Sequence, residues 1–152
     1  MTLKEQLQED LKDTLRSGDV RRRSTLRLLL AAIKNAEIEA GETLDDAGVL
    51  TLVQRQAKQR RDAATEFARG GRDGRADEEL AEKAILESYL PPQLSEEEIA
   101  ELAGAAIKEV GAHGPKEIGK VMKVLMPQVR GQADGSVVNR VVREQLTRSA
   151  QA

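Results

Sequence analysis

Apolar residues recur every three or four positions along almost the whole chain, and this spacing constrains the fold more than any other feature of the sequence. Residues at such intervals lie on one side of an α-helix, whereas half-buried strands alternate apolar and polar residues, and no alternating stretch is found. The first run is Leu3, Leu7, Leu11 and Leu15. Thr2 and Glu5 can form a capping box in front of it. The sequence therefore predicts an all-α protein.

Breaks in this pattern divide the N-terminal part into four predicted helices, because glycine ends helices and aspartate caps them. The helices begin near Leu3, Val20, Asp45 or Asp46, and Asp77, and they end at Ser17-Gly18, Gly41, Gly70-Gly71 and Leu90. The residues expected to face inward in the second to fourth helices include Leu26, Leu29, Leu30, Ile33, Val49, Leu52, Val53, Ala57, Ala64, Phe67, Leu80, Ala84, Ile85 and Tyr89.

A pair of prolines, Pro91-Pro92, provides the clearest domain boundary. Proline lacks a backbone N–H and restricts the residue before it, so the fourth helix cannot continue through this pair. Ser95 and Glu98 then form a second predicted capping box. We expect an N-terminal helical domain at residues 1–91 and a C-terminal domain at residues 92–152. A bend inside one domain is the alternative.

Three short helices are predicted in the C-terminal domain, the second opened by Gly114-Pro115. In this second helix, the apolar residues lie on one side, and the helical spacing puts Lys116, Lys120 and Lys123 together on the opposite side. Any surface helix carries a charged side, but this one is uniformly lysine, which favours anion binding. In the last helix, Ser136, Arg140 and Arg143 are expected to lie on the outer side.

The segment RGQADGS, which joins the last two predicted helices, admits two interpretations. It lacks the Gly-Lys-Ser/Thr of a P-loop and the alternating acidic residues of a calcium loop. As a turn, it would use Gly131 as a left-handed residue and Asp134 or Ser136 as a helix cap. As an anion site, it would bind a phosphate through the free N–H groups at the N-terminus of the last helix, and Arg130 and Arg140 would flank that phosphate.

The charges of the chain are segregated although its net charge is only -2. Residues 76–101 hold nine acidic residues and one basic residue, whereas residues 102–152 hold eight basic and four acidic ones. This distribution favours an acidic partner for the C-terminal end. The predicted RNA-binding residues are Lys116, Lys120, Lys123, Arg130, Gly131, Gly135, Ser136, Arg140 and Arg143.

Three segments, RQAKQRRDAATEFARGGR, ILESYLPPQLSEEEI and IGKVMKVLMPQVRGQADGSVVNRVV, resemble the YqeY family over nearly the whole chain. This family is named together with the tail of the GatB subunit of the tRNA-dependent amidotransferase. The resemblance implies an N-terminal domain of about four helices and a C-terminal three-helix bundle of the GatB-tail type. In the amidotransferase that tail helps to engage tRNA and does no chemistry. Proteins of this kind often carry an amidotransferase label, a carbon–nitrogen ligase with glutamine as amido donor.

Catalysis is not supported by the residues themselves. The chain has no cysteine to release ammonia from glutamine, and its single histidine, His113, lies in a predicted turn. We therefore expect no catalytic residue, no metal site and no cofactor. The acidic run Glu96-Glu97-Glu98 is explained by the helix dipole alone.

A non-catalytic protein that binds tRNA, as a monomer, is the function we expect. Because aromatic residues are almost absent, RNA would be contacted at its phosphates and ribose. An amidotransferase or another protein of the aminoacyl-tRNA system is a candidate partner. A helical adaptor for protein partners is the alternative function. The polar N-terminus does not resemble a signal peptide and no apolar run suits a membrane span, so we expect a cytoplasmic protein without a membrane partner.

Overall fold

The computed structural model describes residues 1–151, and within them it contains seven α-helices, one short 3₁₀ turn and no strand. The helices are α1 (Leu3–Ser17), α2 (Val20–Ala40), α3 (Asp46–Arg69), α4 (Asp73–Glu87), α5 (Glu96–Val110), α6 (Ile118–Val129) and α7 (Gly135–Gln151), with the 3₁₀ turn at Pro115–Glu117. The all-α prediction is confirmed. The chain divides into two compact units, Met1–Leu90 and Pro91–Ala152. That each unit folds on its own stays a prediction.

Helix α1 packs on α2, but fewer of its regularly spaced leucines are buried than the sequence predicts. Leu7 is fully buried, but Leu15 is 64% exposed and Thr14 is buried in its place. The reason is that a spacing of four residues advances about 40° beyond one helical turn each time, so the fourth leucine has left the core side. The hydroxyl of Thr14 is satisfied inside α1, where it donates to the carbonyl of Leu11 at 2.6 Å.

Helix α4 begins about one turn earlier than predicted, at Asp73, and it ends at Glu87. Its buried residues are Ala76 and Leu86, whereas Leu80 and Ala84, predicted to face inward, are exposed. Ion pairs with α3 show which side of α4 faces that helix, since Arg60 lies 3.2 Å from Glu79 and 3.4 Å from Glu82. Leu80, although 45% exposed, still lines a groove with Ala76 and with Ala64 of α3.

The core of the N-terminal unit is aliphatic. Its buried residues are Leu7, Leu26, Leu29, Ile33, Val49, Val53, Ala57 and Leu86, and Tyr89 packs at its edge. The Tyr89 hydroxyl donates to Asp10 Oδ2 at 2.5 Å and accepts from Arg22 Nη2 at 2.8 Å. Burial, with the bond to Asp10, raises the pKa of Tyr89. This network fastens the last residues of the unit to α1 and α2.

The C-terminal unit packs α5, α6 and α7 around small and branched side chains. Its buried residues are Ile99, Ala103, Ala106, Ala112, Val121, Leu125, Val129, Ala133, Val138, Val141, Val142 and Leu146. The predicted capping box is confirmed: Ser95 Oγ accepts from the N–H of Glu98, whose carboxylate accepts from the N–H of Ser95. Gln145 on α7 donates to the carbonyl of Ala100 on α5 at 2.8 Å.

Candidate nucleic-acid interface

Lys116, Lys120 and Lys123, which we call the lysine ridge, are all exposed. Lys116 lies in the 3₁₀ turn, and the other two lie on α6, whose buried residues include Val121 and Leu125. Lys120 Nζ is 3.7 Å from Glu117 Oε1, whereas no carboxylate in residues 1–151 comes within 4.0 Å of the ammonium of Lys116 or Lys123. The ridge therefore presents positive charge that is only partly compensated.

Glu117, the carboxylate that pairs with Lys120, is engaged in the loop before α6. Its Oε2 accepts from the backbone N–H of His113 at 2.5 Å. This hydrogen bond is the main cause that lowers the pKa of Glu117, and the charge of Lys120 adds to it. His113 itself is exposed. Glu117 thus uses one carboxylate oxygen in the loop and the other in the pair with Lys120.

The outer side of α7 carries a second basic surface, which we call the arginine face. It lines an open groove of about 800 Å³ and consists of Ser136, Asn139, Arg140, Arg143, Glu144, Thr147 and Arg148. Arg140 ion-pairs with Glu96 on α5 and with Glu144, at 3.3 Å, and these carboxylates raise its pKa. Arg143 is exposed and has no carboxylate within 4.0 Å in the described chain. The guanidinium of Arg143, unlike that of Arg140, is therefore not engaged by a carboxylate of the described chain.

Asn139, Thr147 and Arg148 were not predicted as site residues. The signal was present in the sequence, because Asn139 follows Ser136 by three residues, and Thr147 and Arg148 follow Arg140 by seven and eight, which are intervals that repeat on one side of a helix.

The RGQADGS segment forms a turn that the linker before α5 holds in place. Gly131 is buried with φ +80°, a left-handed conformation that favours glycine. Its carbonyl accepts from Gln93 Nε2 at 2.9 Å, and the carbonyl of Gln132 accepts from the N–H of Leu94 at 2.8 Å. Gly131 therefore lies below the surface, and its conformational freedom serves the turn.

At the N-terminus of α7, a carboxylate already occupies the position expected for an anion. Asp134 Oδ1 accepts from both the N–H and the hydroxyl of Ser136 at 3.0 Å. A phosphate at this helix end would meet the negative charge of Asp134. Gly135 is the first residue of α7, and Arg130 is exposed at the end of α6. The candidate interface therefore follows the exposed sides of α6 and α7 and does not include the turn between them.

A third group of cations lies on α2 in the N-terminal unit. Arg21, Arg27 and Lys34 are exposed, and no carboxylate in residues 1–151 lies within 4.0 Å of their charged groups. Exposed apolar side chains share this helix: Val20 at 68% and Ile38 at 69% exposure. The outer side of α2 is thus both basic and apolar, unlike the outer sides of α6 and α7.

Neither a metal centre nor a membrane span is found in the described chain. Residues 1–151 contain no group of three or more His, Asp or Glu side chains placed to hold a metal ion. In the same residues, no helix is both long enough and apolar enough to cross a membrane.

The family model described as Yqey-like protein matches residues 4–146. The chain belongs to the YqeY family. Three curated relatives bear the name Altered inheritance of mitochondria protein 41, mitochondrial. The relative from Pyrenophora tritici-repentis is 30% identical over 91% of this chain and 77% of its own length. Those from Eremothecium gossypii (33% identical) and Lachancea thermotolerans (34%) match 76% and 72% of this chain, and 65% and 60% of their own lengths.

These names correct the cytoplasmic location expected from the sequence. The relatives are named as mitochondrial proteins, which conflicts with that expectation. The expectation rested on a polar N-terminus unlike a signal peptide and on the lack of an apolar run that suits a membrane span. Neither of these features distinguishes the cytoplasm from the interior of a mitochondrion.

Proposed function

We propose that this YqeY-family chain binds structured RNA, with tRNA as the expected class, through phosphates and without catalysing a reaction. The observation that carries the proposal is the lysine ridge: three exposed ammonium groups within residues 116–123, of which only Lys120 is paired with a carboxylate in the described chain. Arg143 on α7 adds an unpaired guanidinium. Cations of this kind bind the regularly spaced phosphates of a nucleic acid.

The absence of aromatic residues from the C-terminal part determines the kind of RNA. Single-stranded RNA is recognised largely by stacking bases on aromatic rings. Residues 91–152 contain no Phe, Tyr or Trp, and both aromatic rings of the chain lie in the N-terminal unit, where Phe67 stacks under Arg75 and Tyr89 is bonded to Asp10. Contacts to phosphate and ribose on a folded or paired RNA are what the remaining side chains can make.

In amide transfer, we propose only an accessory role for this protein. Similarity to the GatB tail implies a protein that helps an amidotransferase or another aminoacyl-tRNA enzyme to hold tRNA, and the carbon–nitrogen ligase label belongs to that enzyme. Glutamine hydrolysis requires an activated nucleophile. The chain has no cysteine, its one histidine is exposed, and the hydroxyl groups of Ser95 and Ser136 are engaged in hydrogen bonds at helix N-termini, so we assign no catalytic residue.

The test is tRNA binding across a salt series. Each phosphate contact contributes roughly 0.7–0.9 to the slope of log affinity against log salt. Replacing Lys116, Lys120 and Lys123 together by alanine should flatten the slope by about two units. A charge-matched control replaces Arg21, Arg27 and Lys34 and should leave the slope unchanged.

Two results would contradict the proposal. The first is no binding of tRNA by the unaltered protein at low salt. The second is equal flattening by both triple variants, which would indicate general attraction to positive charge. Circular dichroism checks folding, since exposed substitutions of this kind shift stability by roughly 0.5 kcal/mol or less each.

A second candidate function, an adaptor for protein partners, is favoured by the outer side of α2. Its exposed Val20, Leu28 and Ile38 stand beside the unpaired cations Arg27 and Lys34. A partner that complements this side would be an acidic amphipathic helix. Capture of a partner by the unaltered protein after ribonuclease treatment, and its loss in Val20→Asp, would support the adaptor. Loss of all capture on ribonuclease treatment would exclude it.

A further inference from the structure

The geometry points to Asn139 as a reader of the ribose 2′-hydroxyl, which would make the arginine face selective for RNA over DNA. This inference rests on the proposed function and goes beyond it, since phosphate contacts alone do not distinguish the two nucleic acids. It identifies the side chain responsible for the distinction.

Asn139 has an unused hydrogen-bonding amide. The side chain is half-buried in the groove of the arginine face, and it makes no hydrogen bond to any other group of residues 1–151. The other asparagine of the chain, Asn35, lies exposed on α2. An amide can donate and accept at once, which matches a hydroxyl that does the same. Phosphate oxygens only accept, so they would use half of this capacity.

The neutral groups near Asn139 are already partly used. Ser136 donates its hydroxyl to Asp134 at 3.0 Å, and Thr147 donates its hydroxyl to the carbonyl of Arg143 at 2.8 Å. Each retains an oxygen that can accept, but neither retains its donor. Asn139 is therefore the neutral side chain on this face that can both donate to and accept from a ribose hydroxyl.

Side-chain length supports the same assignment. Short polar side chains contact only groups that come close to the helix surface, whereas an arginine reaches farther. Asn139 and Arg143 are one helical turn apart, with roughly 5–6 Å between their Cβ atoms. The minor groove of an RNA duplex is wide and shallow, and it displays 2′-hydroxyls beside the backbone. Asn139 can reach the hydroxyl while the unpaired Arg143 binds a neighbouring phosphate.

The experiment measures the binding of fluorescently labelled stem-loops of one sequence, made as RNA, as DNA and as 2′-O-methyl RNA. The methylated form keeps the RNA-like duplex but loses the hydroxyl donor. We expect the unaltered protein to prefer RNA to the other two by about tenfold. Asn139→Ala should weaken RNA binding by about fivefold, the order expected for a neutral hydrogen bond, with DNA binding and the salt slope unchanged.

Matched variants separate this role from a structural one. Asn35→Ala makes the same change on the N-terminal unit and should alter no affinity. Thr147→Val, which keeps the side-chain shape, should weaken RNA binding less than Asn139→Ala does. The triple-lysine variant should weaken RNA and DNA alike, because the ridge contacts phosphates.

Several outcomes would overturn the inference. Equal binding of RNA and DNA, or of RNA and 2′-O-methyl RNA, would do so and leave the proposed function standing. An equal loss of RNA and DNA binding in Asn139→Ala would show that Asn139 does not read the hydroxyl. Failure of the unaltered protein to bind any of the three stem-loops would overturn both this inference and the proposed function.

Discussion

In the N-terminal unit, partly buried ion pairs and hydrogen bonds connect neighbouring helices. In the C-terminal unit, the helices contact one another mainly through apolar side chains. Lys4 on α1 bonds to Glu37 on α2 at 2.6 Å, and Arg60 on α3 pairs with Glu79 on α4 at 3.2 Å. The described ion pair between helices of the C-terminal unit is the exposed one of Arg140 with Glu96. Much of that unit's positive charge is consequently left facing solvent.

The comparison suggests that the two units use charge for different purposes. Partly buried pairs fix how helices pack, although their net stabilisation is modest because desolvation opposes the attraction. Unpaired surface cations contribute little to stability, and they are free to bind an anionic partner. Under the proposed function, the C-terminal unit would bind RNA, and the N-terminal unit would not.

The largest expected effect comes from the two cores. Leu7→Ala in the N-terminal unit and Leu125→Ala in the C-terminal unit should each lower the free energy of unfolding by about 2–5 kcal/mol, because both side chains are fully buried. Leu15→Ala, at a site 64% exposed, is the control and should change it by less than about 0.5 kcal/mol.

The same variants test whether the units fold separately. Limited proteolysis of unaltered protein should cut first between the units, near Pro91-Pro92. After Leu7→Ala, new cuts should fall in residues 1–90, and after Leu125→Ala in residues 91–151. New cuts throughout the chain in either variant would show a single cooperative unit and contradict the domain boundary.

A smaller effect is expected at the turn before α7. Asp134→Ala should lower the free energy of unfolding by about 1 kcal/mol, since the Asp134 carboxylate no longer accepts from the N–H of Ser136 at the start of α7. If the carboxylate serves only as a cap, RNA binding should stay the same or strengthen slightly on its removal. Chemical denaturation and the salt series measure the two quantities. Weaker RNA binding with unchanged stability would contradict the capping role and place Asp134 in the interface.

The smallest effect concerns acid stability, and it is expected at Glu37 in the N-terminal unit and at Glu117 in the C-terminal unit, whose carboxyl groups have lowered pKa values. The bond from Lys4 and the N–H of Leu44 lower the pKa of Glu37, and the N–H of His113 lowers that of Glu117. A carboxyl group whose pKa is lower in the folded than in the unfolded state stabilises the fold at pH values above its unfolded pKa of 4.5. This stabilisation is lost as the pH falls through the folded pKa. Glu37→Gln should therefore reduce the acid sensitivity of the N-terminal unit, and Glu117→Gln that of the C-terminal unit.

Proteolysis between pH 3 and 6 provides the measurement, with Glu42→Gln on an exposed site as control. The stability difference between each variant and the unaltered protein should be largest above the unfolded pKa, and it should shrink as the pH falls. A difference that is constant with pH would show that neither carboxyl group contributes through its ionisation.

Local signals in the sequence predicted most of the helices, because caps and glycine stops act within a few residues. Ser95 with Glu98 and the left-handed Gly41 and Gly131 were found in this way. The 45% exposure of Leu80 could not be predicted in this way, since it depends on how α4 packs against α3, where Arg60 pairs with Glu79 and Glu82. Pairing across helices requires the tertiary structure.

The candidate site was only partly predictable for the same reason. Periodicity was sufficient to place the lysine ridge on the surface. It could not show that Glu96 and Glu144 pair with Arg140, that Gln93 and Leu94 cover the turn at Gly131, or that Asn139 has no partner. Each of these facts depends on how segments distant in sequence, or neighbouring rotamers, are arranged in space.

Lysine footprinting of the full chain tests most directly whether the interface lies in the C-terminal unit. An amine-acylating reagent is applied with and without tRNA at low salt, and modification is read by mass spectrometry. Lys116, Lys120 and Lys123 should be protected when tRNA is bound, whereas the exposed Lys12 and Lys34 of the N-terminal unit should react equally in both conditions. Protection of Lys34 with full reactivity of the ridge would contradict the assignment of the two units.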